Sequence, residues 1–177
     1  MKKVLLHEDL RFEPLNEDHQ EAYWQSIECS RSEIEAWLGT FFSPPTRDAT
    51  KAFLQDRYCD WQQGNGYYFA IFHETTFFGL GFINTINVRH RFANLGYWVD
   101  STQTGRGYAT KITRGLARFA FEELGLCRVE LVIDVNNKGS QKVAEKAGAV
   151  YEGTLRNRLQ LYDKSCDAAM YSIVPLQ

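Results

Sequence analysis

The sequence predicts an α/β domain built on a mixed, mostly antiparallel sheet. Three observations carry that expectation. Three consecutive β-rich runs, "YYFAIFH", "TFFGLGFINTINV" and "FANLGYWVD", follow one another with brief turns, as in an antiparallel meander. A strand–helix–strand unit from Leu95 to Val135 is a crossover, so its two strands should be parallel. Helical periodicity appears both before the meander and within the crossover, so helices should cover both faces of the sheet.

Taken in order, "LRFEPL" reads as a short strand. "NEDHQEAYWQSIECSRSEIEAWL" reads as helix, with Asn16 as its cap. Ser30, with Glu33 three residues on, has the form of a capping box and predicts a second short helix there. "GTFFSPPTRD" is a loop punctuated by Pro44 and Pro45. Thr46 or Asp48 opens the next helix, whose Phe53, Tyr58 and Trp61 suggest the buried face and whose end is "GNG". After the meander, Ala109, Ile112, Leu116, Phe119, Ala120 and Leu124 recur at helical spacing, and Gly125 is placed to stop that helix. "CRVELVIDV" is an apolar, β-branched strand. "NKGSQKVAEKAGA" is a short helix stopped by Gly148. "VYEGTLRNRLQLY" and "CDAAMYSIVPL" are two closing strands joined at "DKS". Seven strands result. There are no repeats, linkers or low-complexity tracts, and residues 1–177 are expected to form a single domain.

The 177 residues carry a net charge of −2, which excludes the global basic field of a nucleic-acid binder. Aromatic residues make up 14 %, enough for a well-filled core, an aromatic-lined cleft, or both. Cys29, Cys59, Cys127 and Cys166 are scattered, with no C-x-x-C pair and no clustering with histidine, so no metal site is expected. Reduced, mostly buried thiols and a soluble cytoplasmic protein fit that usage. The apolar run in "KKVLLHEDL" is too short for a signal peptide or a membrane span.

The most informative stretch is "STQTGRGYATK", Ser101 to Lys111. It leads from a strand through two glycines into a helix. Unpaired backbone N–H groups and the positive end of a helix dipole therefore meet at one point, a site for an anion. A Walker A loop requires G-x-x-x-x-G-K-[ST], and no such string is present. A dinucleotide fingerprint G-x-G-x-x-G fits Gly105 and Gly107, with Glu130 at about the spacing of a ribose-binding acid. Thr110 replaces its third glycine, however, and the motif sits in mid-chain with one parallel crossover around it. The diphosphate of coenzyme A is the third candidate.

"GYWVDSTQTGRGYAT" and "NKGSQKVAEKAGAVYEGTLR", in that order and spacing, resemble the GNAT acetyltransferases, in particular the ribosomal-protein N-terminal acetyltransferases of the RimJ/RimL type. The similarity extends over nearly the whole chain. The family loop pattern Q/R-x-x-G-x-G/A falls on Thr104, Gly107 and Ala109, with Thr104 departing from it and Gln103 one place early. The resemblance implies an αβα sandwich in which the central parallel strands splay apart. It implies that Gly105, Arg106, Gly107, Tyr108, Ala109 and Thr110 hold the diphosphate of acetyl-CoA, and that Tyr97, Trp98 and Val99 pair with its pantetheine arm. It also places Asn137 on that arm. The tyrosine acid of many relatives would fall at Ala144, so Ser140, three residues after Asn137, is the candidate acid. The glutamate base of the RimL type would fall at Leu159, and no base is assigned. Trp37, Phe41 and Phe42 are candidate walls of the acceptor groove.

The function implied is acetyl transfer from acetyl-CoA to a primary amine in a ternary complex, with a ribosomal protein N-terminus as acceptor. A small amine such as a polyamine, amino acid or drug is the alternative acceptor, and a non-catalytic acyl-CoA sensor is the alternative class. No direct nucleic-acid or membrane partner is implied. Oligomeric state is left open, a homodimer included.

Overall fold

The computed structural model describes residues 5–175. Its strands are β1 (Leu5–His7), β2 (Leu10–Pro14), β3 (Tyr67–His73), β4 (Thr76–Asn87), β5 (Phe92–Val99), β6 (Arg128–Asp134), β7 (Val150–Leu161) and β8 (Lys164–Ile173). Its α-helices are α1 (Gln20–Leu38), α2 (Arg47–Gln63), α3 (Tyr108–Glu122) and α4 (Lys138–Lys146). The strands form one sheet in the order β1-β2-β3-β4-β5-β6-β8-β7. Every neighbouring pair is antiparallel except β5–β6. The expected mixed sheet is present, with β1 as an eighth strand.

Alternation along the central strands builds two cores. Phe69, Ile71 and Phe78 face α3 and α4, where they meet fully buried Ile112 and Leu116. Tyr68, Ala70, Phe77 and Trp98 face α1 and α2, against Tyr23, Ile27 and Leu54. The result is an αβα sandwich, because side chains one residue apart on a strand point to opposite faces. Burying Ile112 or Leu116 stabilises the fold by roughly 1.5–3 kcal/mol each.

Caps behave as the residue types dictate. Asn16 accepts from Asp18 N–H and opens the 3-10 turn Glu17–His19 that leads into α1. Thr46 caps α2 through Ala49 N–H, and Gly64, at φ +72°, ends it. The β7–β8 hairpin turns on Tyr162 and Asp163, both at positive φ, one residue earlier than "DKS" suggests.

Several expectations are corrected. No second helix starts at Ser30, and α1 runs unbroken. The Ser30 hydroxyl accepts Ser101 N–H at 2.9 Å instead of capping its own chain. α3 ends at Glu122, with Gly125 left-handed three residues beyond. On α2 the deepest residues are Thr50 and Leu54, while Phe53, Tyr58 and Trp61 are half-buried. The four cysteines are free, but three are exposed and Cys166 is half-buried. No helix among the described residues is long and apolar enough to cross a membrane.

Candidate active site

β5 and β6 pair through three residue couples: Phe92 with Arg128, Ala93 with Val129, and Asn94 with Glu130. Beyond Asn94 the two strands part. Each keeps its outer partner to the end: Val99 still pairs with Gly79 of β4, and Asp134 with Ala168 of β8. The inner edges of Leu95–Val99 and Leu131–Asp134 therefore lose their mutual ladder and open as a wedge. The closed end is clasped by Arg128, which donates to Glu130 on β6 (2.8 Å) and Glu152 on β7 (2.7 Å). That guanidinium, with the Ser172 hydroxyl, holds the Glu152 carboxyl down at about 2.

The wedge is part of a cleft of about 540 Å³ that continues from the glycine turn past Asn137 and Ser140 to α1. At the turn, Gly105 (φ +78°) and Gly107 (φ +81°) are left-handed, and a Cβ built at either would meet nothing within 4 Å. The amides of Gly105, Arg106, Gly107, Tyr108 and Ala109 make no backbone hydrogen bond among the described residues. Five backbone donors without a backbone partner thus lie at the N-terminus of a 15-residue helix. Thr110 differs from the other expected donors, because its N–H is directed at Gly107 C=O, 3.1 Å away. Arg106 is exposed at the same turn. The Tyr108 ring packs on Phe78, with ring centroids 4.3 Å apart.

The turn is held from behind by residues with no distinguishing sequence signal. Asp100 is buried. It accepts the Ser26 hydroxyl of α1 (2.5 Å), Thr102 N–H (2.9 Å) and the Thr102 hydroxyl (2.6 Å). Its own N–H goes to Phe78 C=O (2.8 Å). Ser30 adds the bond to Ser101 already noted. Three charge-assisted bonds into one buried carboxylate fix where β5 ends and where the turn begins.

Across the wedge, Asn137 caps α4 by accepting Ser140 N–H at 3.0 Å, so its Oδ1 has a structural task while the residue lines the cleft. Ser140 lies in the first turn of α4, and its Oγ accepts from the Tyr97 hydroxyl at 3.4 Å. Tyr97 reaches it because β5 alternates: Trp98 packs toward α1, and Tyr97 points to the α4 side. Burial pushes the Tyr97 phenol above its ordinary range, and the bond to Ser140 opposes that only in part. Trp98 and Val99 contribute to the wall of the cleft. Ala144 of α4 is fully buried, and the position at which the resemblance would place a tyrosine acid therefore carries no hydroxyl.

On the far wall, Trp37 lines the cleft and is 41 % exposed. Phe42 does not line it. It is buried and stacks on Phe82 at 4.6 Å, inside the core between α1, α2 and the sheet. Phe41 also stands outside the lining, packed edge-on to Phe42 and Phe53 with the Arg57 guanidinium over its ring. Of the three aromatic residues expected to wall the acceptor groove, Trp37 lines this cleft and Phe41 and Phe42 do not. Leu159 is half-buried on β7 opposite Cys166. Two carboxylates face the cleft: Glu33 of α1 and Asp134 at the open end of β6.

Known proteins share this fold. A family model described as the acetyltransferase (GNAT) domain matches residues 9–150. The ribosomal-protein-serine acetyltransferase of Escherichia coli K12 is 25 % identical over 173 residues, covering 96 % of this chain and 94 % of that protein. The structure of RimL, the ribosomal L7/L12 alpha-N-protein acetyltransferase, in complex with coenzyme A superimposes with a TM-score of 0.89 at 20 % identity. That match covers 97 % of this chain and 98 % of that one. RimJ of Mycobacterium smegmatis, solved with a coenzyme A disulfide, gives 0.87 at 21 %, covering 98 % and 86 %. With four-fifths of its length inside the family model, and a strand wedge leading from a bare-amide turn, the chain belongs to the GNAT acetyltransferases and uses acetyl-CoA as acetyl donor.

Proposed function

We propose that this acetyltransferase moves the acetyl group to the N-terminal α-amine of a protein, with a ribosomal protein as the first class of acceptor. The observation that carries this is the continuity of the cleft. One space joins four of the five unbonded turn residues (Gly105, Gly107, Tyr108 and Ala109), the unpaired edge of β5, Ser140 and the α1 wall bearing Trp37. A coenzyme held at the first of these and extended along the second would bring its thioester toward Ser140, with α1 left for the acceptor. The named action of the E. coli relative, on a ribosomal-protein serine, supports the choice of acceptor.

In this reading the amides of Gly105 to Ala109 hold the diphosphate, with Arg106 adding positive charge. Thr110 contributes its place in the first helical turn more than its amide. The edge from Tyr97 to Val99 pairs with the pantetheine amides as an added strand would, and Asn137 faces the same arm. Ser140 supplies a hydroxyl to the sulfur that leaves.

The acceptor chemistry favours an α-amine. With a reference pKa near 8, roughly a tenth of such amines are neutral at pH 7, against about one in 2,500 for a lysine side chain near 10.4. The missing carboxylate at Leu159 is then tolerable. Glu33 and Asp134 line the path along which the proton lost by nitrogen reaches water.

The test is release of free coenzyme thiol from acetyl-CoA in the presence of ribosomal N-terminal peptides, polyamines, amino acids and aminoglycosides. Turnover with peptides bearing a free α-amine is expected, together with its loss on N-terminal blocking. Turnover confined to small amines would replace the acceptor, and coenzyme binding without turnover on any amine would leave a sensor.

A further inference from the structure

The hydroxyl group of Tyr97 donates to Ser140 Oγ, and no other acceptor among the described residues takes the serine's own hydrogen. The serine hydrogen is thereby left free to point into the cleft. Tyr97 is also the residue at which strand splaying and proton chemistry coincide. It sits where β5 has no β6 partner while still pairing with Gly81 of β4, and its side chain crosses to the first turn of α4. On α4 itself, Ala144 is fully buried and supplies no hydroxyl.

A proton balance makes the contact consequential. The amine nitrogen attacks the thioester carbonyl carbon and forms the C–N bond. Collapse breaks the C–S bond, and sulfur leaves with the electron pair as a thiolate. A serine hydroxyl is too weak an acid to give that thiolate a proton and remain an alkoxide. A phenol is a far stronger acid than an aliphatic hydroxyl, so it can replace the hydrogen that the serine gives up. We propose that Tyr97 is a positioning residue that holds Ser140 as a proton relay. As Ser140 gives its hydrogen to the departing sulfur, the Tyr97 hydroxyl replaces it. The phenolate is reprotonated from solvent, which has received the proton lost by the new amide nitrogen. A phenol is protonated at neutral pH, as a donor must be, and burial shifts that of Tyr97 further in the same direction.

The inference rests on the acetyl-transfer reading, and its test separates the two. Tyr97→Phe, Ser140→Ala and the double variant are compared with the wild type in thiol release. Calorimetry compares coenzyme A with desulfo-coenzyme A, which lacks the thiol. Tyr97→Phe is expected to lower kcat roughly tenfold to a hundredfold, with KM for acetyl-CoA within about twofold of wild type. In the Ser140→Ala background the same change should cost less than about twofold, because the relay is already broken. A wild-type preference for coenzyme A over the desulfo form, roughly three- to tenfold, should shrink in Tyr97→Phe. A Tyr97→Phe enzyme with wild-type kcat, or with an equal loss in both backgrounds, would overturn the relay. Should no amine support turnover, the thiol preference still decides: unchanged by Tyr97→Phe it removes the proposal, and narrowed it sustains it. Failure to bind coenzyme A at all would instead remove the functional reading and the proposal with it.

Discussion

Gly107→Val is expected to weaken coenzyme A binding by about a hundredfold or more while leaving the far-ultraviolet dichroism unchanged. Gly107 stands at φ +81° as the residue before α3, where an L side chain is strained and a β-branched one most of all. Relief requires the chain to leave the left-handed region, which swings the amides on both sides away from their common focus. Losing two charge-assisted bonds to a diphosphate, each of about 1.5 kcal/mol or more, corresponds to roughly two orders of magnitude in affinity. Nothing packs within 4 Å of a Cβ there, so the core is untouched and the stability loss is confined to local strain of about 1–2 kcal/mol. Gly107→Ala should fall between wild type and valine. Calorimetric titration with coenzyme A and a thermal melt separate the two effects.

Asp100→Ala should be the most damaging single change outside the two cores. It strips the acceptor from Ser26, from the Thr102 hydroxyl and from Thr102 N–H, all in a buried setting. A loss of roughly 2–4 kcal/mol follows from donors left unpaired, visible as a fall in melting temperature of about 5–15 °C. Because Asp100 fixes the exit of β5, affinity for coenzyme A should fall with it. Asp100→Asn is the informative companion. Its carbonyl oxygen can still accept Thr102 N–H, but its amide nitrogen cannot accept the Ser26 hydroxyl, so it should retain the turn and lose part of the tie to α1. Equal melts for aspartate, asparagine and alanine would show that the carboxylate is not the anchor.

What the sequence discloses is what depends on local pattern. The apolar period of α3, the two glycines ahead of it and the single crossover suffice for the parallel pair and the anion site, because helix dipole, free amides and positive φ arise within a few consecutive residues. Less visible are features created by contacts between distant segments. Ser30 resembles a cap until the turn at Ser101, 71 residues away, takes its hydroxyl. Asp100 is only the last residue of a β-rich run in the sequence, and its partner Ser26 is 74 residues distant. Phe41 and Phe42 are adjacent aromatics of equal promise, and only packing sends the second onto Phe82 and into the core. The Leu5–His7 strand is too short to show a period. Tyr97 is noticed for its backbone, whereas its side chain meets Ser140 43 residues on because β5 and β6 diverge.

The central claim is that the amides of the glycine turn and the freed edge of β5 are the coenzyme's binding surface. Amide hydrogen exchange with and without coenzyme A reads both at once. Exchange at Gly105 to Ala109 and at alternate residues of Leu95–Val99 should be rapid in the free protein and slow by roughly a hundredfold or more when coenzyme A is bound. Slowing elsewhere with no change at these two segments would contradict it.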